Sequence, residues 1–392
     1  MLAGPWTTQI LGDLGADVTK IEQPGQGDDT RRWGPPFLED GSRDSAYFLC
    51  ANRNKRSAAI NVADPRGAEI IRAMAREADI VVENFKVGGL RKYGLDYEAL
   101  AASNPKLVYC SITGFGQNGP YKDRGGYDFL IQGMSGLMSV TGRPEGEPGA
   151  GPMKVGIPAS DLFTGLYAAI SVLAALNHAR ATGQGQHIDC ALLDTQVALL
   201  ANQASNFLNG GGIPRRFGNE HPNVVPYQNF VTADGSEILV ALGNDRQFVN
   251  FCALIGRPEL ASDPRFTNNA GRSVNRKLLQ AEMGAAICRW APADLLGAMD
   301  AQGLPGGKVN TIPEILGDPQ IAARELIKTM RRPDGTVIKL LGYPEVFSAT
   351  PVNYRHAPPR MGADTIAVLR EAGYPDGEID ALLAAGVVAA TW

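Results

Sequence analysis

SAAINVADPRGAEIIRAMAREADIVVEN, residues 57–84, decides the fold: a short apolar run, a helical period, and a second apolar run rich in β-branched residues. Pro65 falls in the first turn of that helix, where its missing N–H is not needed. Strand, helix and strand in this order imply a parallel pair joined by a crossover. Working outward, YEALAASN reads as a helix and LVYCSIT, residues 107–113, as a further strand. On the other side TQILGDLG reads as helix and ADVTKIEQ as strand, followed by a loop, QPGQGDDTRRWGPPF, marked by Pro24, Gly25, Pro35 and Pro36. The alternation predicts an α/β domain, a Rossmann-like, doubly wound parallel sheet with helices on both faces and ligands beyond the C-terminal strand ends. No strand precedes Leu2, so either the first strand was lost to a misplaced start or that edge is built differently.

VGIPASDLFTGLYAAISVLAALNHARATGQGQ, residues 155–186, carries a second signal. Leu162, Phe163, Leu166, Ile170, Leu173 and Asn177 recur at helical spacing with alanines between them, which predicts a helix packed on several sides. Asp161 opens it, and Gly183 and Gly185 end it. A carboxylate in a first turn meets the positive end of the helix dipole, so a low pKa is expected. By itself Asp161 reads as an N-cap. Next come a strand, HIDCALLD, a helix to about Gln203, and the Gly/Pro-rich break NGGGIPRRFGNEHPNVVPYQ. NFVTADGSEILVAL then predicts a hairpin around Asp234 and Gly235, leading to a helix near Arg246 to Ile255. The expected organisation is a large domain over 1–210, a linker over 211–225, a smaller α+β domain over 226–315, and a return segment, 316–392, completing the large domain.

Composition narrows the function. With 392 residues and 44% hydrophobic side chains the chain can bury two cores. A net charge of -4 gives no general drive toward nucleic acid or an anionic membrane. Cys50, Cys110, Cys190, Cys252 and Cys288 form no C-x-x-C pair, which argues against disulfide frameworks, zinc and redox motifs and fits the cytoplasm. The apolar run Leu166–Leu176 is too short to cross a bilayer, and the N-terminus lacks the pattern of a signal segment. His178, His187, His221 and His356 are scattered without metal or nucleophile spacing and read as structural. GFGQNG, residues 114–119, matches G-x-G-x-x-G, but Pro120 and Tyr121 follow in place of a helix and no acidic ribose ligand stands twenty residues on, so it reads as a shaped loop. Two basic clusters, Arg53, Lys55 and Arg56, and Lys86, Arg91 and Lys92, lie near predicted strand ends, where they read either as solvated surface or as holders of phosphate.

Taken together, LAGPWTTQILGDLGADVTKIEQPGQGDDTR, NRNKRSAAINV, VENFKVGGLRKYGLDYEAL, NPKLVYCSITGFGQNGPY, GYDFLIQGMSGLM, ASDLFTG, GQGQHIDCALLD and GLPGGKVNTIPEIL resemble the class III CoA-transferases, the CaiB/BaiF or formyl-CoA transferase family, over nearly the whole chain. The resemblance implies that Asp161 is the nucleophile. It also implies that coenzyme A thioesters are substrates with no permanently bound cofactor or metal, and that Ala3, Gln23, Asn84, Phe85, Lys86, Lys92, Gly125, Gly126, Tyr127 and Asp128 match CoA-contacting segments. Gln23 and Ala63 stand where some relatives carry Arg and Lys, a departure that bears on the adenosine-phosphate contacts. GNEHPNVVPYQNF stands where the formate- and oxalate-using relatives have a glycine-run loop, and this turns the reading away from formyl-CoA. An interlocked homodimer is implied as well.

The cycle expected of such an enzyme passes through an aspartyl anhydride and an aspartyl-CoA thioester. Backbone N–H groups near Gly125, Gly126 and Gly136 are candidate oxyanion donors. A small dicarboxylate such as succinate is the expected donor acid, with Arg215, Arg216 and the Trp33 loop available to a second carboxylate. Two alternatives stand beside this reading. One is an α-methylacyl-CoA racemase, which needs a His where this chain has Tyr127, and a phenol that ordinarily ionises near pH 10 is a poor shuttle. The other is a non-catalytic CoA-binding module.

Overall fold

The structure, a computed structural model, describes residues 2–391. The chain divides into two compact units: a larger one, comprising the chain up to Met138, Lys154–Gly212 and everything from Pro319 on, and a smaller one, Ser139–Met153 with Ile213–Asp318.

In the larger unit the elements run α1 (Ala3–Asp13), β1 (Val18–Glu22), α2 (Ala46–Leu49), β2 (Lys55–Ile60), α3 (Pro65–Glu77), β3 (Ile80–Glu83), α4 (Tyr97–Ser103), β4 (Val108–Thr113) and α5 (Asp128–Met134). After α6 (Leu137–Val140), whose last two residues belong to the smaller unit, come α7 (Ala159–Thr182), β5 (Gln186–Ala191), α8 (Leu192–Ala198) and α9 (Ala201–Gly210). Helix α3 starts as read from sequence: Asp64 accepts from the Arg66 N–H, and Pro65 sits at the first position. Strands β3, β4 and β5 form one parallel sheet with β4 in the middle, its six residues all buried. β1 and β2 pair parallel in another, in which β11 (Val388–Ala389) runs antiparallel along the second edge of β2. The single doubly wound sheet expected from the alternation is therefore two three-stranded sheets. Both edges of β2 are filled, one of them by the chain's end, and no ladder joins β2 to β3 among the described residues.

The C-terminal part of the larger unit adds a hairpin of β9 (Ile327–Arg331) and β10 (Val337–Leu341), whose Met330, Ile338 and Leu340 pack with Phe48 and Leu49 of α2. Buried ion pairs fasten it. Arg31 holds Glu22 at 2.7 Å and Asp44 at 2.8 Å, and Arg332 holds Asp44 at 2.6 Å and Asp40 at 2.9 Å. Such pairs hold register more than they add net stability.

The smaller unit carries the hairpin β6 (Tyr227–Val231) and β7 (Glu237–Ala241), turned at Asp234 and Gly235 as read from sequence, with β8 (Gly306–Lys308) on its free edge. Helix α10 (Asp245–Leu254), capped by Asn244, closes over it with Phe248 and Phe251 in the core. Arg272, fully buried, donates to the carbonyls of Val225 and Phe266 and to Asp245. The excursion Ser139–Met153, read as part of the large domain, belongs here, and so does most of the expected linker. The reason is a set of contacts across sequence: Gly218 N–H donates to Gly142 O at 3.2 Å, and Arg216 donates to Arg143 O and pairs with Glu145.

Helix α7 corrects a second expectation. It packs through its small residues: Thr164, Gly165, Ala168, Ala169, Val172, Ala175 and Ala179 are buried, chiefly against α1, α8, β4 and β5. The large apolar residues turn outward, with Phe163, Leu166, Leu173 and above all Ile170, 65% exposed, at the surface. At 24 residues the whole helix, unlike its longest apolar run, is long and apolar enough to cross a membrane, yet its buried small-residue face is that of a core helix.

Candidate active site

Asp161 is the third residue of α7, whose N-cap position is held by Pro158 with no side-chain cap. It is not the cap its sequence position suggests. That work is done from α5: the Oδ1 of Asp128 accepts the Ser160 N–H at 2.8 Å and the Asp161 N–H at 3.3 Å. The second oxygen of Asp128 accepts from Nε2 of Gln132 at 2.7 Å, and Oε1 of Gln132 accepts the Val155 N–H at 2.9 Å. Ser160 donates its hydroxyl to Gln196 at 2.8 Å, and Thr164 donates to the Ser160 carbonyl at 2.6 Å. Gln132, Ser160, Thr164 and Gln196 are all buried, so the first turn of α7 is held on every side by satisfied polar groups.

The opposite wall is α1. Gly165 lets it come close: a Cβ there would lie 2.9 Å from the Ala3 carbonyl and 3.0 Å from the Trp6 ring. Thr7 bridges the helices, donating to the carbonyls of Ala3 and Gly165. This approach aims the Ala3 backbone N–H at Asp161. Burial pushes the Asp161 carboxyl up to about 6, the Asp128 charge pushes the same way, and the Ala3 N–H opposes both. The low pKa expected from the helix dipole is thereby overturned, because desolvation and a like charge outweigh it.

The residues expected to contact CoA are placed as follows. Ala3, Asp128 and Asp161 come into direct contact. Asn84 follows β3, donates to the Ile112 carbonyl and lies against Gly4, one residue from Ala3. Phe85 is half-exposed, its N–H tied to Glu83 at 2.7 Å. Gly126 passes so near Gly114 that a Cβ on either would stand within 2.5 Å of the other's Cα, which explains two glycines in facing loops. Tyr127 stands at the N-cap of α5 and is 61% exposed. Gln23, Lys86 and Lys92 stand in exposed turns, Lys92 lying 4.7 Å over the Tyr93 ring.

The basic cluster at Arg53, Lys55 and Arg56 is not a phosphate holder. Arg53 is buried on Asp13 at 2.5 Å, and Arg56 pairs with Glu371. Lys55 is buried, its ammonium donating to the Pro5 and Ala51 carbonyls and to Asn52, and burial lowers its pKa well below the usual lysine range. His187 meets Ser111 at 2.9 Å and stacks on Tyr97, and His221 accepts two backbone N–H groups in a turn; the structure uses both to hold local geometry. Residues 114–119 form a loop after β4, without the helix a dinucleotide site requires.

Two site residues escaped the sequence reading. Tyr47, on α2, packs its ring tilted against Trp33 with centroids 5.2 Å apart, and its phenol pKa is raised by burial and by the charges of Asp161 and Asp128. Nothing in its neighbourhood marks it. Gln132 stands four residues after Asp128 on one helix, a spacing that predicts their hydrogen bond once Asp128 is of interest.

The profile of CoA-transferase family III matches residues 1–365. The succinate–glutarate CoA-transferase of Agrobacterium fabrum is 48% identical over 95% of this chain and 92% of its own. The human succinyl-CoA:glutarate CoA-transferase is 40% identical over 99% and 87%. A crystal structure of a CaiB/BaiF family protein from Brucella suis superposes with a TM-score of 0.82 at 46% identity, covering 95% of this chain and 96% of that one. A half-buried carboxylate at a helix start, set in a mixed α/β fold with parallel sheets and matched along its length in this way, identifies the chain as a member of CoA-transferase family III.

Proposed function

We propose that the chain moves CoA between succinate and a second short dicarboxylate, with Asp161 as the covalent carrier. The observation that carries the reading is the half-buried Asp161 carboxyl facing the Ala3 N–H at the start of α7; the two relatives' names support succinyl-CoA as the donor. In the forward direction the Asp161 carboxylate adds to the thioester carbonyl and the C–S bond breaks, giving a mixed anhydride and CoA thiolate. The thiolate adds to the Asp161 carbonyl of the anhydride and releases succinate, leaving an aspartyl-CoA thioester. An acceptor carboxylate displaces the thiolate to form a second anhydride. The thiolate then takes the acceptor's acyl group and frees Asp161. No net proton or electron is exchanged, and each step is a displacement at a carbonyl.

Around this centre we assign the larger unit as a Rossmann-like CoA-binding domain, with Asn84, Phe85, Gly125, Gly126 and Tyr127 along the pantetheine and Gln23, Lys86 and Lys92 toward the phosphates. The outward apolar face of α7 favours an interlocked homodimer. Five free cysteines suit a reducing cytoplasm. The test is a matrix of acyl-CoA donors against acid acceptors, read by mass spectrometry of the CoA products. Succinyl-CoA with a C5 dicarboxylate is expected to turn over fastest; efficient transfer restricted to monocarboxylates contradicts the reading.

A further inference from the structure

An Asp in the first turn of a helix ordinarily folds back onto the free N–H groups beside it. In α7 those of Ser160 and Asp161 are already taken by Oδ1 of Asp128, more than thirty residues earlier in the chain. We propose that Asp128 is a positioning residue of the transfer reaction: it caps α7 in place of Asp161, so that the Asp161 carboxylate stays free to meet the thioester, and Gln132 fixes Asp128 in turn. The proposal rests on Asp161 being the nucleophile.

Two observations and one chemical argument converge on it. Asp128 has one orientation available, because each of its oxygens has its own donor, and the donor behind it, Gln132, is fully buried with its carboxamide oxygen held by the Val155 N–H. The elements packed on α7 bring other ionisable groups, Asp13 on α1, Asp194 on α8, and His187 and Asp189 on β5, while Asp128 on α5 is the carboxylate whose charge bears on Asp161, with the Tyr47 phenol facing both. Finally, Asp161 is neutral when acylated. A fixed negative charge beside it raises the free energy of the carboxylate relative to the anhydride and the aspartyl thioester, which makes it the better nucleophile. This assigns Asp128 a different task from the CoA contact its sequence neighbourhood suggests.

Asp128→Asn keeps an acceptor for the cap but loses the charge; Asp128→Ala loses both. For the Asn variant the acid limb of kcat/KM is expected to move to lower pH by about one unit. For the Ala variant kcat is expected to fall about a hundredfold, the scale of a slightly misplaced reacting group, with KM for succinyl-CoA within about threefold of wild type. A mere loss of stability, followed by thermal unfolding, leaves the acid limb where it was, so the Asn variant carries the test even where the Ala variant does not fold. A raised KM with unchanged kcat and an unmoved limb makes Asp128 a CoA contact and overturns the proposal. Asp161→Asn is measured in parallel. If it stays active, the nucleophile assignment falls and takes this proposal with it; if it is dead while the Asp128→Asn limb has not moved, this proposal alone falls.

Discussion

A carboxyl pushed up to about 6 has two consequences at Asp161 itself. With Asp161 as the proposed nucleophile only its carboxylate form attacks, so kcat/KM for succinyl-CoA is expected to be full above about pH 7 and to fall tenfold per unit below about pH 6, measured as a pH–rate profile. The same shift touches stability. The folded pKa lies above the ordinary aspartate value of about 3.9, so wild type loses stability as pH rises through the interval between them, and above it carries a cost of about 2 to 3 kcal/mol. Asp161→Asn, which removes the charge and breaks no cap, is expected to unfold at higher denaturant than wild type at pH 7.5 and at about the same denaturant below pH 4. Equal midpoints at both pH values would count against the partly desolvated, like-charged setting. Lys55 makes the opposite case: Lys55→Met strands the Pro5 and Ala51 carbonyls and the Asn52 amide, and is expected to cost about 2 kcal/mol or more in chemical unfolding.

Helix α7 marks where the sequence could be read and where it could not. Period located β2, α3, β3 and β4, and the glycines after Thr182 located the end of α7, because each is a local pattern. It could not say which face of α7 turns inward, since Leu166, Ile170 and Leu173 mark an apolar stripe whether it meets this chain or another surface. The cap escaped for a related reason: Asp128 reaches Asp161 across a tertiary contact, and only the pairing with Gln132 has a local signature. Burial of Arg53 and Lys55 likewise depended on Asp13 and the turn of α1, invisible from NRNKRS. The close approach of α1 and α7 gives a direct check. Gly165→Val must push the Ala3 carbonyl and Trp6 away, at about 1 to 3 kcal/mol, and draws the Ala3 N–H off Asp161. Activity is expected to fall by more than stability explains, measured well below the melting temperature; a variant with native kcat would show that Ala3 does not serve the site.

For the whole molecule, the outward stripe of α7 bears on the proposed homodimer. Ile170→Glu is expected to convert a dimer that survives dilution into monomer or aggregate in sedimentation, and a wild-type monomer at micromolar concentration would contradict the interlocked arrangement. Lys86→Ala and Lys92→Ala are expected to raise KM for acyl-CoA roughly tenfold each while leaving kcat in place, as lost charge-assisted contacts to phosphate do. Everything else depends on whether the protein itself carries the acyl group or CoA between donor and acceptor. Wild type incubated with succinyl-CoA and no acceptor, then quenched with hydroxylamine and digested, is expected to yield a hydroxamate on Asp161 in the peptide mass spectrum, absent when succinyl-CoA is omitted. An unmodified Asp161 peptide during active turnover, or a hydroxamate on another carboxylate, would contradict Asp161 as the covalent carrier.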